Sequence, residues 1–111
     1  MAVTVVNIIA RKQAEASQTA QYTATSVKCI IDKFTATNTN TVNVSFSVNL
    51  VANGASASDS NLIIDTRTIG PGETYLCPEL VGQTLESNGF ISTLASVASS
   101  ITISASGREI S

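Results

Sequence analysis

Residues 41–52 read Thr-Val-Asn-Val-Ser-Phe-Ser-Val-Asn-Leu-Val-Ala, and their alternation decides the fold class. Val42, Val44, Phe46, Val48 and Leu50 fall on one side of an extended chain, and Asn43, Ser45, Ser47 and Asn49 fall on the other. Successive side chains of a strand point to opposite faces, so this stretch makes one apolar face and one wet face. A sheet with one apolar face needs a second layer to cover it. The rest of the chain reads as that cover.

Working outward, Val27 to Thr37 is a second strand, and Asn38-Thr39-Asn40 supplies turn residues that would form the tip joining it to the first. On the other side, Asn53-Gly54 is a turn signal, and the small polar residues from Ala55 to Ser60 read as a surface loop. Leu62 to Thr68 is the next strand. It runs into Ile69-Gly70-Pro71-Gly72-Glu73, where proline fixes one φ angle and the flanking glycines admit positive ones. That spacing predicts a tight reversal, with Gly70, Pro71, Gly72 and nearby Tyr75 at the surface. Short strands follow at Thr74 to Leu76 and Gln83 to Glu86, separated by a turn or single helical loop at Pro78 to Gly82. Asn88-Gly89 reads as a hairpin dipeptide. Phe90 to Val97 matches both strand and helix spacing. Ser99 to Ala105 alternates cleanly, and Gly107 is expected to break it.

At the N-terminal side, Ala2 to Ile9 is apolar on both faces through Val3, Val5, Val6, Ile8 and Ile9. Such a strand must be covered on both sides. It is either tucked into the sheet or forms an arm that docks on another subunit. Removal of residues 2–9 would leave the fold intact in the second case and destroy it in the first. Arg11 to Ala20 carries no wide apolar stripe and reads as a connector. The expected domain is a single antiparallel β-sandwich over 1–111, with 1–20 as N-terminal arm and connector. About seven or eight short strands at roughly ten-residue intervals give the sandwich or barrel pattern.

Composition narrows the function. Val, Ile and Thr make up 35 of the 111 residues, and 15 serines join 14 threonines to give a hydroxyl-rich exterior. Charged residues are 13% and the net charge is −2, so there is no basic field to hold nucleic acid. The apolar run from Val3 to Ala10 is too short to cross a bilayer and lacks the basic flank of a signal peptide. No membrane partner is expected. Solubility carried by Ser, Thr and Asn suits a surface packed against neighbours in an assembly, and equally an ordinary β-domain.

The chain contains no histidine, which removes the proton shuttle of most hydrolases and the Ser-His and Cys-His nucleophile pairs. Cys29 and Cys77 are too few and too far apart for zinc. Cys29 lies in the Val27, Cys29, Ile31 alternation, so the cysteines read as small buried hydrophobes, with a single disulfide as the other option. Asp59 and Asp65, near Asn53 and Asn61, lack the ligand rhythm of a calcium loop. Asp32, Asp59, Asp65, Glu73, Glu79, Glu86 and Glu109 read as solvated turn and strand-end charges rather than a glycosidase pair. Gly70-Pro71-Gly72 lacks the Lys and Ser/Thr of a phosphate loop. No catalytic residue, metal, cofactor or small-molecule substrate is expected. A carbohydrate- or host-surface-binding module is the alternative reading, with Tyr75 as its one candidate stacking platform.

The second half of the chain resembles a pattern that recurs in small virion proteins of tailed bacteriophages. Its parts are a strand like Leu62 to Thr68, the turn Gly70 to Glu73, the segment Leu80 to Leu85, and the closing strand Ile101 to Ile110. The first half fits it too, with Tyr22-Thr23-Ala24 entering the strand at Val27 and Asn38 at its far tip. In size and layout the whole chain is similar to capsid decoration (cement or stapling) proteins of short-tailed phages, of the epsilon15 type. Related sandwiches also occur in tail and neck proteins. The resemblance implies a jelly-roll-like, non-enzymatic subunit, made in the host cytoplasm and carried on the virion. It would bind the outside of the head as a homo-oligomer, dimer or trimer, and clamp the major capsid protein.

Overall fold

The computed structural model describes residues 2–111. It is an all-β sandwich whose extents, 46 × 26 × 19 Å, leave room for two layers of sheet and no third. In chain order the strands are β1 (Val3–Gln13), β2 (Thr19–Thr23), β3 (Lys28–Asn38), β4 (Val44–Val51), β5 (Leu62–Ile69), β6 (Thr74–Tyr75), β7 (Thr84–Leu85), β8 (Phe90–Ala95) and β9 (Ile101–Ile110). A 3-10 turn, Asp59–Asn61, precedes β5.

One sheet runs β1-β9-β3-β6, with β7 also paired to β3, and the other runs β2-β8-β4-β5. All pairings are antiparallel. β6 pairs the far end of β3, at Ala36 and Thr37, and β7 pairs the near end, at Cys29 and Ile30. They are two halves of one strand position, interrupted by the 76–83 loop. Counting them together gives two four-position sheets in jelly-roll order. The ninth strand beyond the seven or eight expected comes from this interruption.

The connections correct two expectations. β3 and β4 lie in different sheets, so Asn38-Thr39-Asn40 is not a hairpin tip; it carries the chain across the sandwich. Asn88-Gly89 likewise crosses, from β7 to β8. Asn88 takes a positive φ of 65°, and the Gly89 N–H donates to Glu86 O at 2.9 Å. Only β4 and β5 are sequence neighbours that pair with each other across sheet hydrogen bonds. Alternation reports which face a side chain occupies and is silent on which strand lies alongside.

The core lies between the sheets. Phe34 of β3 and Phe46 of β4 meet there with ring centroids 6.4 Å apart, and Val44, Val48, Ile31, Ile69, Ile91, Ile101 and Ile103 surround them, all buried. The 41–52 alternation is therefore sound in its middle. At its ends, Val42 is 54% exposed in the loop before β4, while Val51 is fully buried yet outside the core cluster. Cys29 and Cys77 are both buried and free, which leaves no disulfide.

β1 is longer than expected and reaches into the predicted connector. Its register against β9 slips between Val6 and Ile9 and again between Ile9 and Lys12, so it carries two bulges. Phe90–Ala95 is strand, which settles the ambiguous segment. β9 runs straight through Gly107, contrary to the expected break. β3 bulges between Ile31 and Lys33, opposite Gly107 and Ser106, and brings the Ile30 carbonyl against the glycine. Only a residue without Cβ fits there.

Candidate functional site

Among the described residues no three His, Cys, Asp or Glu side chains come together to hold a metal. The surfaces to weigh are the two singled out by sequence.

The first is the N-terminal segment. It is not a free arm in this structure but strand β1, the edge of its sheet, laddered to β9 from Val3↔Ile110 onward. Ile8 and Ile9 are 5% and 3% exposed and belong to the core. Val6 is half-buried against it. Of the five apolar residues, Val3 and Val5 alone stand out, at 58% and 78% exposed. An edge strand presents a row of unpaired backbone N–H and C=O groups, and the Val3 to Ala10 run has no charged residue to discourage pairing. The segment thus combines core anchoring with an open, apolar edge.

The second is the turn at Gly70, Pro71 and Gly72. The Glu73 N–H donates to Gly70 O at 3.0 Å, with Pro71 second and Gly72 third at φ 73°, which is a type II reversal. The Glu73 carboxylate closes it by accepting from the Gly70 N–H at 2.7 Å. The turn is moored to the body because the Gly72 N–H donates to Asn38 O at 2.9 Å.

In the sequence Asn38 reads only as turn material. Fully buried, it donates from Nδ2 to Val42 O and to Ile69 O, each at 2.8 Å, and accepts from the Asn40 N–H at 2.8 Å. Thr39 adds a backbone bond to Ser100 O at 2.7 Å. Three connections, 39–43, 70–73 and 96–100, are thereby fixed together at one end of the sandwich. Nothing in a single sequence separates such an asparagine from an ordinary turn asparagine.

Tyr75 is not an open platform. The Arg67 guanidinium lies over its ring, 4.3 Å from the centroid, and its hydroxyl donates to the Glu79 carboxylate at 2.5 and 2.6 Å. Partial desolvation and that hydrogen bond push the Tyr75 phenol up to about 12, while Glu79 is held below its ordinary value by accepting the bond. Leu76 and Val81 flank this cluster, exposed at 61% and 52%. Beneath it, burial pushes the Cys77 thiol up to about 12, so it is an inert packing group.

A second polar cluster ties the sheets. The Tyr22 hydroxyl donates to Glu109 across the sandwich edge, and Tyr22 rises well above the ordinary phenol value through burial first and Glu109 second. On the outer face of the β2-β8-β4-β5 sheet, Asn49 is 4% exposed; it donates to Ser58 O at 3.0 Å and Asn61 Oδ1 at 2.8 Å, and accepts from Gln18 Nε2 at 3.3 Å. This pins the 52–61 loop over the sheet and leaves a cavity of about 260 Å³ lined by Gln18, Asn49, Asp59, Asp65, Leu62 and Leu94. Sequence placed Asp59 and Asp65 near each other; the loop brings both to one rim.

No protein-family model matches the chain, and no curated protein matches it. Among solved structures it is similar to a chain in the structure of infectious bursal disease virus Gx strain, with 12% identity and a TM-score of 0.45. That match covers 97% of this chain and 32% of the other, so this chain spans about a third of its length. A likeness of that degree says nothing about what this protein binds.

Proposed function

We propose that this protein is a virion structural component that attaches to the outer surface of a phage head and staples neighbouring major capsid protein subunits. The observation that carries the reading is the pairing of a jelly-roll strand order with an open edge strand whose outward residues, Val3 and Val5, are apolar. Jelly rolls serve both as capsid domains and as lectins, so fold alone does not choose between them. The resemblance of residues 61–110 to small phage virion proteins supports the first. A lightly charged, hydroxyl-rich exterior supports a role in lasting contact. On this reading the partner is the major capsid protein, the protein acts as a dimer or trimer, and each copy resists shell expansion by bridging two capsomers. Modest affinity per copy suffices when many copies act together.

The test is to add the purified protein to heads that lack it, then measure occupancy and head melting. Saturating protein should raise the melting temperature, and Val3→Lys with Val5→Lys should cut occupancy about tenfold, the factor that about 1.4 kcal/mol represents. Heads that bind nothing, or bind without gaining stability, would defeat the proposal.

The carbohydrate reading is favoured by one specific feature, the cavity of about 260 Å³ whose lining includes Asp59, Asp65, Gln18, Leu62 and Leu94. Carboxylates and amides sharing a cavity with leucines suit sugar hydroxyls and a pyranose face. Tyr75, with Arg67 on its ring, is not part of that arrangement. Saturable glycan binding lost in Asp65→Asn would favour it.

A further inference from the structure

The six cationic side chains are not used alike. Lys12 pairs with Glu15 at 2.9 Å, Lys28 with Glu86 at 3.4 Å and Arg108 with Asp32 at 2.9 Å, while Arg67 lies on Tyr75. Arg11 and Lys33 remain. Among the described residues neither has a carboxylate within ion-pairing distance. Both line one shallow pocket of about 310 Å³ on the outer face of the β1-β9-β3 sheet, together with Asn7, Thr35, Ser104 and Ser106.

The backbone builds this pocket. Asn7 and Arg11 lie within the two register slips of β1, and Lys33 directly follows the slip of β3. Bulges re-aim side chains, and three of them here bring polar groups from the two flanking strands to the face of β9. Two unpaired like charges lining one concavity, with hydroxyl donors between them, form a local positive field on a protein of net charge −2.

The spacing selects the ligand. Arg11 falls level with Ser104 and Lys33 pairs with Ser106, so the two stand on strands separated by β9 and staggered along it, with backbones about 12 Å apart. A single small oxyanion does not suit the pair, because it would draw two like charges together where two separate anionic groups would not. Nor does the site offer the cluster of free backbone N–H groups that cradles phosphate, because β9 is laddered on both sides. Carboxylates two residues apart on an extended segment are about 7 Å from each other, within reach of two long cationic side chains. We infer that this pocket binds an extended acidic segment of a partner protein, with carboxylates at alternate positions, one meeting Arg11 and the other Lys33 across Ser104 and Ser106.

This assignment goes beyond the capsid reading, and its test involves no capsid, so either can fail alone. The full chain is titrated with acetyl-Glu-Thr-Glu-amide, acetyl-Gln-Thr-Gln-amide or sodium phosphate at matched ionic strength, and amide shifts are followed by NMR. The expected result is saturable shifting at residues 33–35 and 104–106 with the glutamate peptide alone, weakened at least tenfold in Arg11→Gln/Lys33→Gln. Both substitutions are at exposed positions, so an unchanged remainder of the spectrum shows that the variant is folded. Absence of shifts, equal shifts from the glutamine peptide or phosphate, or undiminished binding by the variant would overturn the assignment.

Discussion

Gly107 of β9 lies so close beneath the carbonyl of Ile30 in β3 that a Cβ on the glycine would stand 2.4 Å from that oxygen. The obstacle is backbone within a sheet, which cannot swing aside. Gly107→Ala should therefore destabilise the fold by about 2–3 kcal/mol, the upper range of overpacking costs. Urea unfolding reads this directly as a lower midpoint with an unchanged slope. A midpoint equal to that of the parent would show that β3 yields there.

Ile8 and Ile9 answer the question of the N-terminal segment. Ile8→Ala and Ile9→Ala should each cost about 2–4 kcal/mol, because each leaves a cavity in the core. Val5→Ala, at an exposed position, should cost no more than about 0.5 kcal/mol. Removal of residues 2–9 should then abolish cooperative unfolding altogether. A truncated chain that still melts sharply would restore the segment as a dispensable arm.

Asn38 predicts a local failure. Asn38→Leu removes the donors to Val42 O and Ile69 O and leaves the buried Ile69 carbonyl unmatched, at about 1–3 kcal/mol, while the Val42 carbonyl lies in an exposed loop. Hydrogen exchange should accelerate at Asn40 and Gly72, whose N–H groups bond Asn38 or sit in the turns it secures. Exchange unchanged at those amides would mean that the three connections hold without it.

Stability should fall as pH rises above 9. The folded state raises Cys77 to about 12 from an ordinary thiol value of 9.0, and also raises Tyr75, to about 12. Between pH 9 and 12 the unfolded chain has shed protons that the folded chain retains, so the slope of unfolding free energy against pH is negative. The buried Cys77 adds up to about 1.4 kcal/mol per pH unit to that slope. Comparing urea midpoints at pH 8 and pH 10.5 should show a smaller loss in Cys77→Ala than in the parent. At pH 8, iodoacetamide should label neither cysteine until the protein unfolds.

Much of the strand content was readable because the apolar period is strong: Val44, Phe46 and Val48 point inward as their spacing requires. Partners were not readable, since Asn38-Thr39-Asn40 and Asn88-Gly89 have hairpin chemistry at places where the chain changes sheets. Gly107 looked like a breaker because its role depends on a bulge in a strand some seventy residues earlier, and Val42 looked like core although it lies in a loop. The convergence of Arg11 and Lys33 has the same origin. It depends on register slips, and those follow from packing between strands rather than from any local pattern.

The place of β9 between β1 and β3 has a temporal meaning. Its two neighbours are made long before it, and they have no ladder with each other. During synthesis the β1-β9-β3 sheet must wait as separate ribbons, with Ile8, Ile9, Ile31 and Phe34 unsheltered, until the last of its strands arrives to be threaded between them. Assembly of this molecule is thus slow and late, set by distant pairings, and a growing chain of this kind has reason to need chaperone cover before it is complete.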